Sequence, residues 1–231
     1  MKSSLKKIKK IKMVRIISWN VLYRKYEERY NPNSDILHKY PEEFLRIIQI
    51  IAFIYNQMSQ DTIVCLQEVS TMLLNTLTSI FKNSHHIFDY QELREDFLVI
   101  IAPKNFYLDF CHSHKTSNGY ISITDGNINV INCHLKPQRY VSKSTNVLEY
   151  IKNLRKSGRQ TFIAGDFNEH YKIVKSKLDN DFVCPYYGKT YKRKALDHII
   201  FESRNETWYK VDKVECKFIS DHNMIVLDIE L

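Results

Sequence analysis

The chain has 231 residues, of which 44% are hydrophobic and 13% aromatic, so it can bury the core of one large α/β domain. No apolar run approaches the roughly 18 residues that span a bilayer, and the N-terminal segment lacks the apolar region of a signal peptide. The five cysteines include no C-x-x-C pair, which favours a reducing compartment over a disulfide framework. We therefore expect an intracellular protein of the cytoplasm or nucleus that is not secreted.

The net charge of +8 is unevenly distributed along the chain. Six lysines and no acidic residue lie within residues 1–12, which we interpret as a disordered basic tail. The same composition suits a phosphate-binding arm or a nuclear address. Residues 13–231 contain no linker, internal repeat or low-complexity run, so we predict a single domain there.

Two buried strands are predicted in the first third of the chain. Val14–Val21 is β-branched and apolar and contains Asn20 near its end, where a turn is the ordinary explanation of an asparagine. Asp61–Val69 is the second such run, and Glu68 lies near its end. A glutamate is poorly tolerated in a buried strand unless it is paired or binds a metal, so a functional role is favoured for Glu68.

The segments around these strands predict one loop and two helices. Residues 24–39 are polar, tyrosine-rich and without clear period, which predicts a long loop. Pro41 begins an apolar pattern of helical spacing that extends to Met58. Ser70 is placed to cap a second amphipathic helix that ends at about Phe81.

Residues 84–135 predict strands throughout, with a hairpin at the Asp125-Gly126 pair. His134 closes the second strand of that hairpin, in a position parallel to those of Asn20 and Glu68. Lys136 and Arg139 follow it directly. Residues 142–156 then predict a helix, with Ser and Thr at its start and cationic residues at its end.

The run TFIAGDFN, Thr161–Asn168, predicts a buried strand that ends abruptly at Gly165. Asp166 and Asn168 follow, and their two-residue spacing lets both side chains face the same side. Groups just beyond the carboxyl end of a strand face the ligand crevice of an open α/β sheet. A turn is the alternative explanation, since Gly, Asp and Asn are common turn residues.

The last third of the chain combines a basic loop with two further polar strand ends. Residues 184–194 interleave tyrosines with basic residues, a composition suited to gripping phosphates while stacking bases, although a solvated loop is equally compatible. Three of its residues are candidate substrate contacts: Tyr191, Lys192 and Arg193. Asp197 begins the next strand, and Asp221 with His222 begins the last one.

Polar residues thus recur at the ends of apolar strands along the whole chain, which predicts one shared pocket. Hard oxygen ligands such as Glu68 suit Mg²⁺, which prefers few carboxylates and retained waters. In this order and spacing, the segments SWN, LQEV, CHL, GDFN, LDH and SDH closely resemble the endonuclease/exonuclease/phosphatase superfamily, which has the DNase I-like fold. The resemblance covers about residues 13–231. It implies a four-layer α/β sandwich, two mixed β-sheets packed face to face with helices outside.

The resemblance also implies a role for each motif residue. Glu68, Asn20 and Asp221 look like the metal site, which would hold Mg²⁺, or Mn²⁺ in its place. Asp166 resembles the residue that deprotonates the attacking water, and Asn168 the amide that donates to the transition-state phosphoryl group. His222, held by Asp197, and His134 resemble the phosphate-side histidines. The substrate contacts are expected to be Lys136, Arg139, Tyr191, Lys192 and Arg193.

Two features depart from the family pattern. The LDH motif has His198 where tyrosine is common, and residues 90–118 contain no motif that aligns with the family. Any substrate-contacting residue in that second segment is unassigned.

The resemblance favours a metal-dependent phosphodiesterase that acts as a monomer on nucleic acid or oligonucleotides. The opening SWNVLY and the CLQEV motif look most like the deadenylase and 2′-5′ phosphodiesterase branch, while HLK followed by a polar helix is compatible with the tyrosyl-DNA phosphodiesterase branch. A phosphatase or phosphodiesterase of phosphoinositides or sphingolipids is the alternative on the same scaffold. A binding protein on an inactive scaffold is disfavoured, because every motif residue is present.

Overall fold

A computed structural model describes residues 13–92, 95–106, 109–112, 119–125, 127–136, 158–203 and 208–231. Within these residues the chain forms twelve strands and five helices. The strands are β1 Met13–Asn20, β2 Thr62–Val69, β3 His85–Gln91, β4 Phe97–Pro103, β5 Asp109–His112, β6 Gly119–Thr124, β7 Ile128–His134, β8 Gln160–Asp166, β9 Phe182–Val183, β10 Asp197–Glu202, β11 Tyr209–Val214 and β12 Met224–Glu230. The helices are α1 Arg24–Tyr30, α2 Asp35–Lys39, α3 Glu43–Gln57, α4 Thr71–Phe81 and α5 Tyr171–Ser176.

The strands form two six-stranded sheets. The first sheet has the order β11-β12-β1-β2-β4-β3, and its only parallel pair among the described strands is β1 with β2. The second sheet has the order β5-β6-β7-β8-β10-β9, in which β7 and β8 run parallel. Because parallel strands end at the same edge, β1 and β2 present their final residues together, as do β7 and β8.

Alternating side chains of the strands build separate layers of core. Ile16 and Ile63 of the first sheet pack in one cluster with Val130 and Phe162 of the second sheet, which joins the two sheets face to face. Ile17, the next residue along β1, packs instead in a cluster with the apolar faces of α3 and α4. The result is the predicted sandwich of two mixed sheets with helices outside, and the fold prediction is confirmed.

Helix α4 begins where the sequence predicts, and α3 begins two residues later than predicted. Ser70 caps α4, since its hydroxyl oxygen accepts a hydrogen bond from the Leu73 amide at 3.2 Å. Helix α3 begins at Glu43, two residues after Pro41. The predicted long loop at residues 24–39 is wrong, because the segment contains α1 and α2.

Two predicted segments lie outside the described residues, namely the basic tail 1–12 and the helix 142–156. Among the helices that the structure describes, none is long and apolar enough to cross a membrane.

Candidate active site

Glu68 is presented to the site by a β-bulge. The pairing of β2 with β4 passes from Leu66 opposite Val99 to Val69 opposite Phe97, so β2 carries one extra residue there. Glu68 adopts a left-handed backbone with φ of 58°. Its carboxylate leaves the strand and accepts hydrogen bonds from Asn20 Nδ2 at 3.0 Å and from the Tyr23 amide at 2.9 Å.

Asn20 connects the two sheets at the floor of the site. Its Nδ2 group donates to Glu68 Oε1 at 3.0 Å and to Asp166 Oδ2 at 3.2 Å, and the side chain is buried. Its Oδ1 atom accepts from the Leu22 amide at 3.0 Å. In this arrangement Asn20 orients two carboxylates, and its predicted role as a metal ligand stays a prediction.

Asp166 lies at the end of β8, where the chain passes very close to β7. Gly165 has φ of 154°, and a Cβ atom there would overlap the carbonyl of Cys133, so only glycine fits. Asp166 Oδ1 accepts from the Asn168 amide at 2.8 Å, while Asn168 Nδ2 donates to the Leu135 carbonyl at 2.9 Å. Burial raises the pKa of Asp166 to about 6, and Asp197 adds to the shift.

His222 and Asp197 form a buried ion pair. The Nδ1 atom of His222 lies 2.9 and 3.0 Å from the two carboxylate oxygens of Asp197, and its Nε2 atom lies 3.9 Å from Asp166 Oδ2. Burial disfavours the charged imidazole, but Asp197 first, then Asp166 and Asp221, raise the pKa of His222 well above its usual value. Trp19 supports this segment by donating from Nε1 to the His222 carbonyl at 3.2 Å.

His134 lies on the other side of Asp166 and is paired with Glu92. Its Nδ1 atom is 3.0 Å from Glu92 Oε2, and its Nε2 atom is 3.7 Å from Glu68 Oε1 and 3.9 Å from Asp166 Oδ2. Burial lowers the pKa of His134, but these carboxylates outweigh that effect and raise it to about 10. Both histidines therefore carry positive charge beside Asp166 near neutral pH.

Glu92 and Asp96 are site residues that the sequence analysis missed. Glu92 packs over Gly119, the residue opposite His134, so that a Cβ atom at Gly119 would lie 2.7 Å from Glu92 Oε1 and the glutamate side chain would have to shift. Asp96 is buried and accepts from the Tyr26 hydroxyl at 3.0 Å. Both belong to the segment without a family motif, so only the contacts in the fold identify them.

A cleft of about 580 Å³ opens above these groups. Its walls include three tyrosines, Tyr26, Tyr30 and Tyr191, together with Lys194. The ring of Tyr191 lies against His222, with 4.6 Å between ring centroids. The two tyrosines of α1, Tyr26 and Tyr30, were not predicted as cleft residues, because the polar sequence of this segment predicts a loop.

The predicted substrate contacts are distributed unevenly around this cleft. Tyr191 lines it, and Lys192 Nζ lies 4.9 Å from the centroid of the Tyr191 ring. Arg193 is exposed in the same loop, and Lys136 is half-buried two residues after His134. Arg139 lies outside the described residues.

The oxygen ligands around the cleft fit a hard divalent cation. Asp221 and Glu68 both line it, and the Oδ1 atom of Asp221 is buried without a hydrogen-bond partner among the described residues. Burial raises the pKa of Asp221 to about 6, although His222, whose Nε2 atom lies 4.0 Å from Asp221 Oδ1, opposes the shift. Carboxylates in this state suit Mg²⁺ or Mn²⁺ better than zinc, which prefers nitrogen and sulfur ligands.

In the part of the chain that the structure describes, two further groups of side chains each bring three potential ligand atoms to within 4.8 Å of one another. They are Asp166, Asp197 and His222, and Glu92, Asp96 and His134. In both groups the imidazole is already engaged by a carboxylate through Nδ1. Each is therefore explained as a charged histidine with its acidic partners.

No family model matches the sequence, and no curated protein matches it. Solved structures do match its fold. Truncated TDP2 from Caenorhabditis elegans aligns with a TM-score of 0.68 at 14% identity, covering 95% of this chain and 98% of that chain. TDP2 from D. rerio, complexed with a single-strand DNA product, aligns with a TM-score of 0.63 at 15% identity, covering 94% and 98%.

Two other proteins match over almost their whole length. ANGEL2, described as a 2′,3′-cyclic phosphatase, aligns with a TM-score of 0.70 at 13% identity, covering 96% of each chain. An endonuclease/exonuclease/phosphatase family protein from Leptotrichia buccalis aligns with a TM-score of 0.65 at 18% identity, covering 94% of this chain and 100% of that chain. The resemblance drawn from the motifs is confirmed, and the chain has the endonuclease/exonuclease/phosphatase, or DNase I-like, fold.

Proposed function

We propose that this protein is a metal-dependent phosphodiesterase that hydrolyses phosphodiester bonds in nucleic acid or oligonucleotides. The observation that carries the proposal is that Glu68, Asp166 and His222 line one cleft, although they are separated by up to 154 positions in sequence. His134 lies beside them, with its Nε2 atom 3.7 Å from Glu68 Oε1 and 3.9 Å from Asp166 Oδ2. A catalytic arrangement explains why charged groups of both signs are buried so close together.

Asp166 is the proposed general base. It lies between two histidines, and burial raises its pKa to about 6. A carboxylate with a pKa near the operating pH is an effective base toward water. The hydrogen bond from the Asn168 amide fixes the Oδ1 atom, while Oδ2 accepts from Asn20 Nδ2. Attack by the activated water breaks the bond between phosphorus and the leaving oxygen.

The imidazolium groups of His134 and His222 are proposed to stabilise the negative charge that grows on the phosphoryl oxygens. Each is kept charged by its own carboxylate, Glu92 for His134 and Asp197 for His222. Fixed donors of this kind typically contribute about 10²–10³ in rate each. Asn168 is proposed as the neutral donor of the same site.

Glu68 and Asp221, with Asn20 beside them, are the residues proposed to hold Mg²⁺ or Mn²⁺. A bound divalent cation would supply Lewis-acid stabilisation of the phosphoryl oxygens. Two observations support this assignment: the Oδ1 atom of Asp221 accepts no hydrogen bond from the described residues, and two hydrogen bonds orient the Glu68 carboxylate.

A polynucleotide substrate is favoured by the walls of the cleft. Tyrosine rings suit stacked bases, and the exposed basic side chains of residues 192–194 suit the phosphates of a strand. The D. rerio TDP2 structure, which has the same fold, holds a single-strand DNA product. Deadenylase, 2′-5′ phosphodiesterase and tyrosyl-DNA phosphodiesterase activities are the finer alternatives within this proposal.

The test is a substrate panel with Mg²⁺ present. It contains single-stranded DNA, poly(A) RNA, 2′-5′ oligoadenylate, abasic duplex, 5′-phosphotyrosyl DNA and inositol phosphates. We expect turnover of at least one nucleic acid substrate, and a loss of about 10²-fold or more in Glu68→Gln. The exposed Glu28→Gln variant is the matched control and should retain activity. Hydrolysis of inositol phosphates alone would contradict the proposal and favour the lipid alternative.

A further inference from the structure

The β-bulge that carries Glu68 is held from the opposite sheet by the side chain of Asn132. The Nδ2 group of Asn132, on β7, donates to the carbonyl oxygens of Leu66 on β2 and Val99 on β4, each at 2.9 Å. Leu66 and Val99 are the last residues in register before the bulge. One amide group therefore joins both strands of the first sheet where the bulge begins.

A second amide completes the connection. Gln67, the residue before Glu68, donates from Nε2 to Asn132 Oδ1 at 2.7 Å and to the Cys65 carbonyl at 3.2 Å. The side chains of Asn132 and Gln67 are fully buried. Because water does not compete for these hydrogen bonds, each is stronger than it would be at the surface.

The bulge needs such support because its backbone is unfavourable. A β-bulge interrupts the strand ladder locally, and a left-handed conformation is unfavourable for a residue other than glycine. Glu68 has that conformation and must also direct its carboxylate to Asn20 and to the Tyr23 amide. Strained residues persist at functional sites only where the surrounding structure over-determines them.

We propose that Asn132, together with Gln67, is a positioning residue that holds Glu68 in its metal-binding orientation. Neither amide lines the cleft among the residues that the structure describes, so both act through the backbone of β2 and β4. The inference rests on the proposed function in taking Glu68 as a metal ligand. It adds a structural determinant of that site that lies on the opposite sheet.

The test compares Asn132→Ala with Asn129→Ala. Asn129 lies on the same strand and is equally buried, but its amide lies 3.4 Å from Thr161 Oγ1 within the second sheet. The first measurement is the affinity of the free protein for Mn²⁺ by electron paramagnetic resonance. The second is hydrogen exchange at the Tyr23 amide, which donates to Glu68 Oε2 and reports the position of that carboxylate without any metal.

We expect Asn132→Ala to bind Mn²⁺ about 10–100-fold more weakly than wild type, which is typical when a residue supporting a ligand is removed. Its Tyr23 amide should exchange about tenfold or more faster than in Asn129→Ala. If Asn132→Ala does not fold, Gln67→Met removes one link of the same network with little change in volume and should shift both measurements in the same direction.

Wild-type Mn²⁺ affinity and control-like exchange at the Tyr23 amide in the Asn132 variant would overturn the inference. Failure of the metal site that the proposed function assumes looks different, because the wild-type protein itself would then bind no Mn²⁺, whereas a protein that hydrolyses only inositol phosphates would still bind it. In that case the Tyr23 exchange rate alone decides whether Asn132 positions Glu68.

Discussion

At the scale of single residues, the site is defined by charges that are buried together. Asp166 Oδ2 lies 3.9 Å from the Nε2 atoms of both His134 and His222. Burial raises the pKa of this carboxyl and the two histidines oppose that shift, so the net value of about 6 reflects a balance. The histidines remain protonated above this value, since their own pKa values are raised. A window therefore exists in which the base is ionised and both cations are charged.

This balance predicts the pH dependence of the reaction. Because protonated Asp166 cannot accept a proton from water, kcat/KM should fall about tenfold per pH unit below pH 6 and be level between about pH 7 and 8. Initial rates at constant ionic strength and saturating metal ion would measure the profile. In the Asp166→Asn variant, kcat/KM should be only residual and should not depend on pH in this way. A wild-type rate that is unchanged between pH 5 and 7 would exclude Asp166 as the base.

At the scale of elements, the apolar strands and their polar ends could be predicted because both signals are local. The strands that end near Asn20, Glu68 and Asp166 are β-branched runs whose burial follows from composition. The Asp125 hairpin was predicted for a similar reason, and the Asp125 amide donates to the Ile128 carbonyl at 2.9 Å. Strand β11 was missed, since it is largely exposed and lacks a regular apolar pattern.

Within the candidate site, only the residues that belong to sequence motifs could be predicted. Glu92 reaches His134 from a neighbouring loop, and that contact depends on pairing of β6 with β7, which places Gly119 opposite His134. Nothing in the local sequence of Glu92 indicates this. The departure at His198 has a plain structural explanation: the ring is buried, with Nε2 3.0 Å from the Glu169 carbonyl, on the outer face of the second sheet.

Helix α3 is tied to the two loops that flank the cleft by one buried arginine. Arg46 donates from Nη1 to the carbonyls of Val21 and Ile219, and from Nη2 to the Leu22 carbonyl, at 2.7–2.9 Å. Its charge is balanced by Glu43. The loop after β1 and the loop before His222 are thus fixed to the same helix.

Replacing this arginine should destabilise the protein strongly. Arg46→Met would leave three carbonyl groups and the Glu43 carboxylate without their donor, and breaking a buried pair costs about 3–5 kcal/mol. Urea denaturation followed by circular dichroism would measure the free energy of unfolding. Lys210→Met removes an exposed ion pair with Asp212 and should change it by less than about 1 kcal/mol. Equal stability of the two variants would contradict the proposed anchoring role.

At the scale of the whole molecule, acidic and basic groups are separated around the cleft. The floor is acidic, with Glu68, Asp166 and Asp221 among its lining residues. Its rim carries exposed cations in the loop that contains Lys192 and Arg193. We expect the rim to attract a polyanionic strand, and the proposed divalent cation and the two histidines to offset the acidic floor when a phosphate approaches. The separation therefore favours a substrate with several phosphates over one with a single phosphate.

The salt dependence of binding follows from that separation. Each phosphate contact made by a lysine or arginine releases condensed counterions, so the slope of log affinity against log salt changes by about 0.7 per contact on a single strand. In a Lys192→Gln, Arg193→Gln double variant, the slope for a single-stranded oligonucleotide should become shallower by about 1.4. Its kcat should stay close to that of the wild type, because neither side chain belongs to the proposed catalytic group.

Fluorescence anisotropy between 50 and 300 mM salt, with Ca²⁺ in place of Mg²⁺ to suppress turnover, would measure the slope. A Lys172→Gln, Lys175→Gln variant on the exposed face of α5 controls for the loss of two positive charges, and the same change of slope in it would show that the loop makes no direct phosphate contacts.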